Sequence, residues 1–280
     1  MKVLVTGSNG FIGQKIVEKL EELEDSSKIW TLDKNPSERS RHFATRAEEF
    51  DRYSEFDVIY HLAAISNPRK CEEKPASAFK ANVESTLAIL EQINSNQELI
   101  FASSAYVYGE GKELQEKDDL SPKNLYGHTK KSSEEIIRYF ASKNDNDFDY
   151  KIFRLFNIYG PGQPEGFLVP DVIRKCRNRD EIKVDSPKEF ISPVYIEDAI
   201  EIILKNLPDG TYNVSHKCVS IGSVYRETSK YFDSEVIFSS SQENDKLCGD
   251  NSKLSQYKKE WIDIEEGVRR TVKRTELDQE

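Results

Sequence analysis

Apolar residues along this chain gather in short runs, separated by stretches in which they return every three or four positions. Lys2-Val3-Leu4-Val5-Thr6 is the first run, and after a glycine-rich break Ile12, Ile16, Val17 and Leu20 recur at helical spacing to about Glu24. The chain therefore opens with a strand and then a helix. Further runs at 28–33, 57–62, 99–102 and 150–155 are each separated by helix-length segments, with helices predicted over 76–94 and 126–143. Strands that are apolar nearly throughout belong to a parallel sheet covered on both faces, so the fold class is α/β with a doubly wound parallel sheet. From about 160 the texture changes to Pro161, Gly162, Pro164, Gly166 and Pro170 around shorter elements. This predicts a first domain over 1–160, its sheet completed by about 190–206, and a small C-terminal lobe over 161–280. There is no internal repeat and no low-complexity tract.

Composition narrows the picture. A chain of 280 residues can bury roughly three quarters of its unfolded surface, so it needs no structural metal to hold a core. Forty basic and 50 acidic residues give a net charge of −10 with both signs interspersed, which excludes a general nucleic-acid binder. No apolar run approaches a membrane span. Cys71, Cys176, Cys218 and Cys248 form no CxxC pair and have no His at zinc spacing, so they read as reduced and structural, with no metal site. Met1 leads directly into the first strand without a basic region or cleavage motif, and the expected location is cytoplasmic.

Two constellations carry chemistry. Gly7-Ser8-Asn9-Gly10-Phe11-Ile12-Gly13 lies between the first strand and the first helix, where glycines let the backbone turn tightly and approach a pyrophosphate on the helix N-terminus. Asp33 ends the second strand 20 residues after Gly13, where a carboxylate accepts hydrogen bonds from an adenosine ribose and repels a 2′-phosphate. The pair predicts NAD rather than NADP. Tyr126 and Lys130 stand four apart on a predicted helix, on one face, so the cation can favour a phenolate that acts as a base. Ser103-Ser104 leave the strand at 99–102 at its carboxyl end, where open α/β sheets bind ligands, and a hydroxyl there can share a substrate oxygen with the tyrosine.

At these residues the chain resembles a family. The glycine loop, Asp33, Tyr60-His61-Leu62-Ala63-Ala64, Asn82-Val83, Ser103-Ser104, Tyr126 to Lys130 and Arg154-Leu155-Phe156-Asn157-Ile158-Tyr159-Gly160-Pro161 are similar in order and spacing to the extended short-chain dehydrogenase/reductases. Within them, the resemblance is to the NAD-dependent sugar-nucleotide epimerases and dehydratases, closest in motif to UDP-galactose/glucose 4-epimerases. It implies a Rossmann domain with a substrate-binding lobe. By the same resemblance Gly7, Gly10, Phe11, Ile12 and Gly13 hold the pyrophosphate, Asp33, Lys34 and Asn35 the ribose, and Leu62, Ala63, Ala64, Asn82 and Phe156 the rest of the dinucleotide. Tyr126 is the implied base, Lys130 binds the nicotinamide ribose and depresses the tyrosine pKa, and Ser104 bonds the reacting oxygen. Ser66, Ser104, Tyr106, Tyr126 and Asn157 are the implied contacts to a UDP-linked nucleotide sugar.

Related dehydratases resemble one another in an Asp-Glu pair directly after the catalytic hydroxyl, since eliminating water needs another acid and base. Ala105 and Tyr106 stand there, which disfavours a 4,6-dehydratase and leaves epimerisation at carbon 4 through a 4-keto intermediate. The alternatives are an NAD(P)H-dependent 4-ketoreductase and a non-catalytic dinucleotide sensor. The chain departs from the family pattern in three places. The strand near 41–45 lacks the acidic residue that meets the adenine, Lys188-Glu189 replace an Arg-Asp, and the later diphosphate-clamping arginine is absent around Asn244-Asp245. Lys188 and Arg174 are the candidate substitutes, each also readable as a surface charge. The helices at 83–94 and 127–141 resemble those that pair two subunits in this family, which implies a homodimer.

Overall fold

The computed structural model describes residues 1–143, 148–178, 182–239 and 246–277. They divide into two compact units: residues 1–109, 118–154 and 203–212 form the first, and 110–117, 155–202 and 213–280 the second.

In the first unit the expected runs form strands β1 (Val3–Thr6), β2 (Ile29–Asp33), β4 (Val58–His61), β5 (Glu98–Ser104) and β6 (Asp149–Leu155), and a short β3 (His42–Ala44), which no apolar run announces, pairs with β2. A seventh, β7 (Gly210–Val214), completes the sheet in the order β7-β6-β5-β4-β1-β2-β3. The completing strand was expected within 190–206. That stretch instead holds two-residue strands at Phe190–Ile191 and Val194–Tyr195 and a helix over Ile196–Ile203. Strand β1 pairs in parallel with both β2 and β4, so the strand order reverses there, and a crevice opens at the carboxyl ends of β1 and β4.

Helices α1 (Phe11–Leu23), α2 (Pro68–Glu73), α3 (Pro75–Phe79), α4 (Ser85–Leu90) and α5 (Leu125–Ala141) belong to the same unit. The segment expected as one helix over 76–94 runs through α3, a π turn at Lys80–Glu84 and α4. The core beneath joins Leu4, Leu32, Ile59, Ile89, Leu99, Phe101, Ile137 and Ile152, so the apolar runs and both long helical faces are consumed by one cluster.

In the second unit, four short strands lie in the order Val219–Ser220, Phe190–Ile191, Lys246–Gly249 and Gly111–Leu114. Cys218 and Cys248 are joined there in a disulfide with a Cα–Cα distance of 5.4 Å. This corrects the expectation of four reduced cysteines. Residues 30 apart in sequence meet because one precedes an outer strand and the other lies within the sheet, which spacing does not encode. Cys71 and Cys176 are free and buried. Among the described residues no helix is long and apolar enough to cross a membrane, and no group of His, Cys, Asp or Glu is arranged to hold a metal ion.

Candidate active site

The loop after β1 is shaped by what it touches. Gly7 has φ +66, and a Cβ there would come within 2.7 Å of the Ala63 nitrogen, so this turn against the exit of β4 admits only glycine. Gly10 is the N-cap of α1, no side chain caps that end, and its first turn holds no carboxylate. The leading N–H groups of α1 therefore remain open to an anion. Ser8 Oγ is buried without a hydrogen-bond partner among the described residues, an unspent polar atom inside the same loop.

Beside the loop, the Asp33 carboxylate accepts from Asn9 N (3.2 Å) and Asn35 N (2.9 Å), one bond to each oxygen. Lone pairs remain for ribose hydroxyls. Lys34 and Asn35 are exposed next to it. His42, which sequence reasoning did not single out, bridges Thr31 Oγ1 (3.0 Å) and the Asn35 carbonyl (2.9 Å) and so holds the segment after Asp33. An open helix N-terminus, an unspent buried hydroxyl and a carboxylate at the end of β2 fit a dinucleotide.

Behind the loop runs a polar chain in the core. Thr6 Oγ1 accepts from Leu62 N and Ala63 N, both at 3.2 Å, which leaves its proton for His61 Nδ1 at 3.0 Å. His61 Nε2–H then donates to Thr86 Oγ1 (3.1 Å), and Thr86 donates to the Asn82 carbonyl (3.0 Å). Burial pushes the His61 pKa down to about 3, so the ring is neutral and structural. The Asn82 side chain accepts from Ile65 N (2.7 Å) and donates to Thr129 Oγ1 (2.9 Å). Asn82 is fully buried, so it shapes the Leu62–Ile65 backbone from behind.

Ser104, Tyr126 and Lys130 all lie in the first unit, Ser104 at the end of β5 and the other two on α5. Helix α5 starts with Asn124 accepting from Gly127 N (2.9 Å) and Glu72 accepting from Leu125 N (2.8 Å). A Cβ on Gly127 would lie 2.4 Å from the Tyr106 carbonyl oxygen; its absence lets the first turn of α5 press on the chain leaving β5. Tyr126 is thereby brought near the Ser104 hydroxyl, which favours the ionised phenol. The Tyr106 ring lies edge-on to Tyr126 at 6.0 Å.

Lys130 Nζ donates to the Ala102 carbonyl at 2.8 Å and sits 4.6 Å above the Phe101 ring. Burial lowers its pKa to about 7, against the attraction of Glu134 and Cys71. Burial likewise raises the Tyr126 phenol well above its ordinary value, only partly opposed by the Ser104 hydrogen bond. The protein alone thus keeps the phenol protonated. Cys71, read from the sequence only as a reduced structural cysteine, is buried beside Tyr126 with its thiol on the Ile65 carbonyl (3.2 Å).

Other expected residues fall elsewhere. Ser66 is exposed in the first unit. Phe156 and Asn157 belong to the second unit, where the Phe156 ring is fully buried against Gly249. Asn157 Oδ1 is buried without a partner among the described residues. Lys188 and Arg174 are both exposed, and Asn244-Asp245 lie outside the described residues.

With this geometry in place, a family model described as the NAD dependent epimerase/dehydratase family matches residues 3–222. The chain belongs to that family. NAD is its cofactor, in agreement with the loop and Asp33. A putative UDP-glucose 4-epimerase of Methanocaldococcus jannaschii is 28% identical, with 96% of this chain and 97% of that protein covered. A UDP-N-acetyl-alpha-D-glucosaminuronate decarboxylase of Bacillus cytotoxicus is 26% identical over 79% of this chain and 75% of its own length. Among solved structures, MoeE5 in complex with UDP-glucose and NAD superposes with a TM-score of 0.87 at 20% identity, all of both chains being covered. Relatives with different reactions match at similar identity, so family membership fixes the cofactor and the fold, and the local chemistry must choose the reaction.

Proposed function

We propose that this protein is an epimerase that inverts carbon 4 of a UDP-linked sugar through a 4-keto intermediate. The observation that carries the reading is the Ser104–Tyr126–Lys130 group followed directly by Ala105 and Tyr106. Neither of these two residues offers the carboxyl that an elimination needs. NAD, which the Gly7–Gly13 loop and Asp33 would hold, would supply the hydride acceptor and donor for the sugar carbon. Tyr126 must ionise to take the proton of the 4-hydroxyl, a form that burial disfavours and that positive charge from Lys130, held on the Ala102 carbonyl, would favour; Ser104 fixes that oxygen by a hydrogen bond. Asn157, with an unspent amide oxygen, is the proposed contact to the nucleotide diphosphate.

The test is to incubate the purified protein and NAD with UDP-glucose, UDP-N-acetylglucosamine and their galacto epimers, separating products by chromatography while following NADH absorbance. Interconversion of one pair with no net NADH is expected. Stoichiometric NADH consumption on a 4-keto sugar would assign a reductase, and loss of water or carbon dioxide would overturn the proposal.

A further inference from the structure

Tyr126 sits at the second position of α5, between two amides that side chains hold. On one side of it, Asn124 spends its side-chain oxygen on Gly127 N (2.9 Å). On the other, Leu125 N is left over by that cap and donates instead to Glu72 Oε1 (2.8 Å), which arrives from α2. The first turn of α5 contains no acidic residue of its own, so Glu72 brings a carboxylate to the positive end of the helix. The reaction as described makes no use of it.

Helix α2 is itself fastened to the loop that leaves β4. Its N-cap Asn67 accepts from Lys70 N (3.1 Å), and the Cys71 thiol rests on the Ile65 carbonyl (3.2 Å). Asn82 pins the same residue, accepting from Ile65 N (2.7 Å) and donating to Ile65 O (3.2 Å). This loop packs on Gly7, where a Cβ would lie 2.7 Å from Ala63 N. Cys71 and Leu125 also share an apolar cluster with Tyr126, so α2 and the start of α5 meet through side chains as well. Further along, α5 is secured independently, by Glu134 accepting from Arg154 Nη2 (2.7 Å) and Lys130 Nζ donating to the Ala102 carbonyl (2.8 Å). The body of the helix is thus tied to the sheet, while α2 holds its first turn.

We propose that Glu72 is a positioning residue for Tyr126: by holding Leu125 N it keys the first turn of α5 to α2, and through α2 to the loop packed on Gly7. The inference rests on the reading of Tyr126 as the base.

The phenol must lie within hydrogen-bond reach of the sugar oxygen, and the ring follows the backbone that carries it. A first turn released at Leu125 can fray, and a displacement of about 1 Å at the reacting oxygen costs rate before it costs binding. Glu72 is exposed, so water can take its place at the amide and overall stability changes little.

The test separates the acceptor from the charge. Glu72→Ala removes both, Glu72→Gln keeps an acceptor oxygen, and Glu73→Gln removes a neighbouring charge that pairs with Arg69 within α2 (3.0 Å). For each variant, kcat and KM are measured with the nucleotide sugar that the wild type converts, NAD affinity by calorimetry, the unfolding midpoint in urea, and amide exchange at Leu125 by NMR. Glu72→Ala is expected to lower kcat by about 10-fold and to speed exchange at Leu125 by about as much, with KM, NAD affinity and the urea midpoint near those of the wild type. Glu72→Gln should recover most of kcat, and Glu73→Gln should match the wild type.

Unchanged exchange at Leu125 in Glu72→Ala overturns the inference whatever the substrate, and so does an unchanged kcat. Equal losses in Glu72→Ala and Glu72→Gln also overturn it, since charge would then be the cause, as does a loss of kcat matched by a fall in NAD affinity or in the urea midpoint, the mark of a structural role. If exchange at Leu125 quickens but the wild type converts no nucleotide sugar, the tie between α2 and α5 stands and the functional reading is what fails.

Discussion

Tyr126 and Lys130 work in surroundings that oppose charge on either of them, since burial drives the phenol up and the ammonium down. What remains for catalysis is position: Ser104 beside the phenol, the Ala102 carbonyl under the ammonium, and Gly127 letting the helix approach. Tyr126→Phe removes the proton acceptor and leaves the ring, so kcat is expected to fall by about 10² to 10⁴ with NAD affinity unchanged, checked by turnover assays and by calorimetric titration with NAD. A drop in NAD affinity equal to the drop in kcat would mean that Tyr126 serves binding alone. Gly127→Ala probes the approach itself. Its methyl would meet the Tyr106 carbonyl at 2.4 Å and Pro122 Cβ at 2.9 Å, so the first turn of α5 must retreat. Loss of kcat by about 10²-fold with KM for NAD nearly constant is expected, because small misplacements at the reacting atoms cost rate before they cost binding.

Elements differ in how much of them the sequence discloses. Strands β1, β2, β4, β5 and β6 are legible because parallel strands buried on both faces leave near-continuous apolar runs, whereas the short, half-buried His42-Phe43-Ala44 of β3 leaves none; the glycine loop, Asp33 and the Tyr126–Lys130 spacing are legible because their chemistry is local. Strand β7 is not, since Gly210-Thr211-Tyr212-Asn213-Val214 alternates polar and apolar residues, while the apolar positions near Ile196–Ile203 belong to a helix. The Glu134–Arg154 pair and the His61 chain are also hidden, because each is closed by residues 20 or 25 positions away.

The His61 chain has a consequence for acid stability. The folded ring has a pKa of about 3 against an ordinary 6.5, so between these values the unfolded chain binds a proton that the folded chain does not. Stability therefore rises with pH through this window and is lost as pH falls below about 6.5, by up to about 1.4 kcal/mol per pH unit from this group. Urea midpoints measured from pH 7 to pH 4 should fall more steeply in the wild type than in His61→Gln, and parallel slopes would show that other groups govern the acid limit.

The disulfide is a second such element. Joining Cys218 to Cys248 closes a loop spanning 30 positions in the second unit, which by chain entropy stabilises by about 3 to 4 kcal/mol. Denatured protein should titrate two thiols before reduction and four after it, and Cys218→Ser should lower the unfolding midpoint as much as reduction lowers that of the wild type. Four thiols before reduction would show the bond to be open.

Across the whole molecule, the distribution of surface charge and apolar side chains decides what the protein can meet. A net charge of −10 argues against polyanionic partners, and a contact between two copies of this chain is best made where charge is sparse. Two large aromatic side chains of the first unit supply it: Phe79 at the end of α3 is 50% exposed, and Tyr139 near the end of α5 is 57% exposed. The inner face of α5 is already committed to Tyr126, Lys130, Ser133, Glu134 and Ile137, so an aromatic on its outer face gains nothing from the core. A second copy of the chain pairing its α4 and α5 with these would bury such side chains and brace the helix that carries the catalytic tyrosine. A stable interface of this kind covers about 1,200 to 2,000 Å². Light scattering at micromolar concentration is expected to give twice the 32.2 kDa chain mass, and Tyr139→Glu, by placing a charge in that contact, should shift the mass toward the single chain while leaving NAD affinity intact. A mass of one chain for the wild type would remove the homodimer, and with it any contribution of a partner to holding α5 in place.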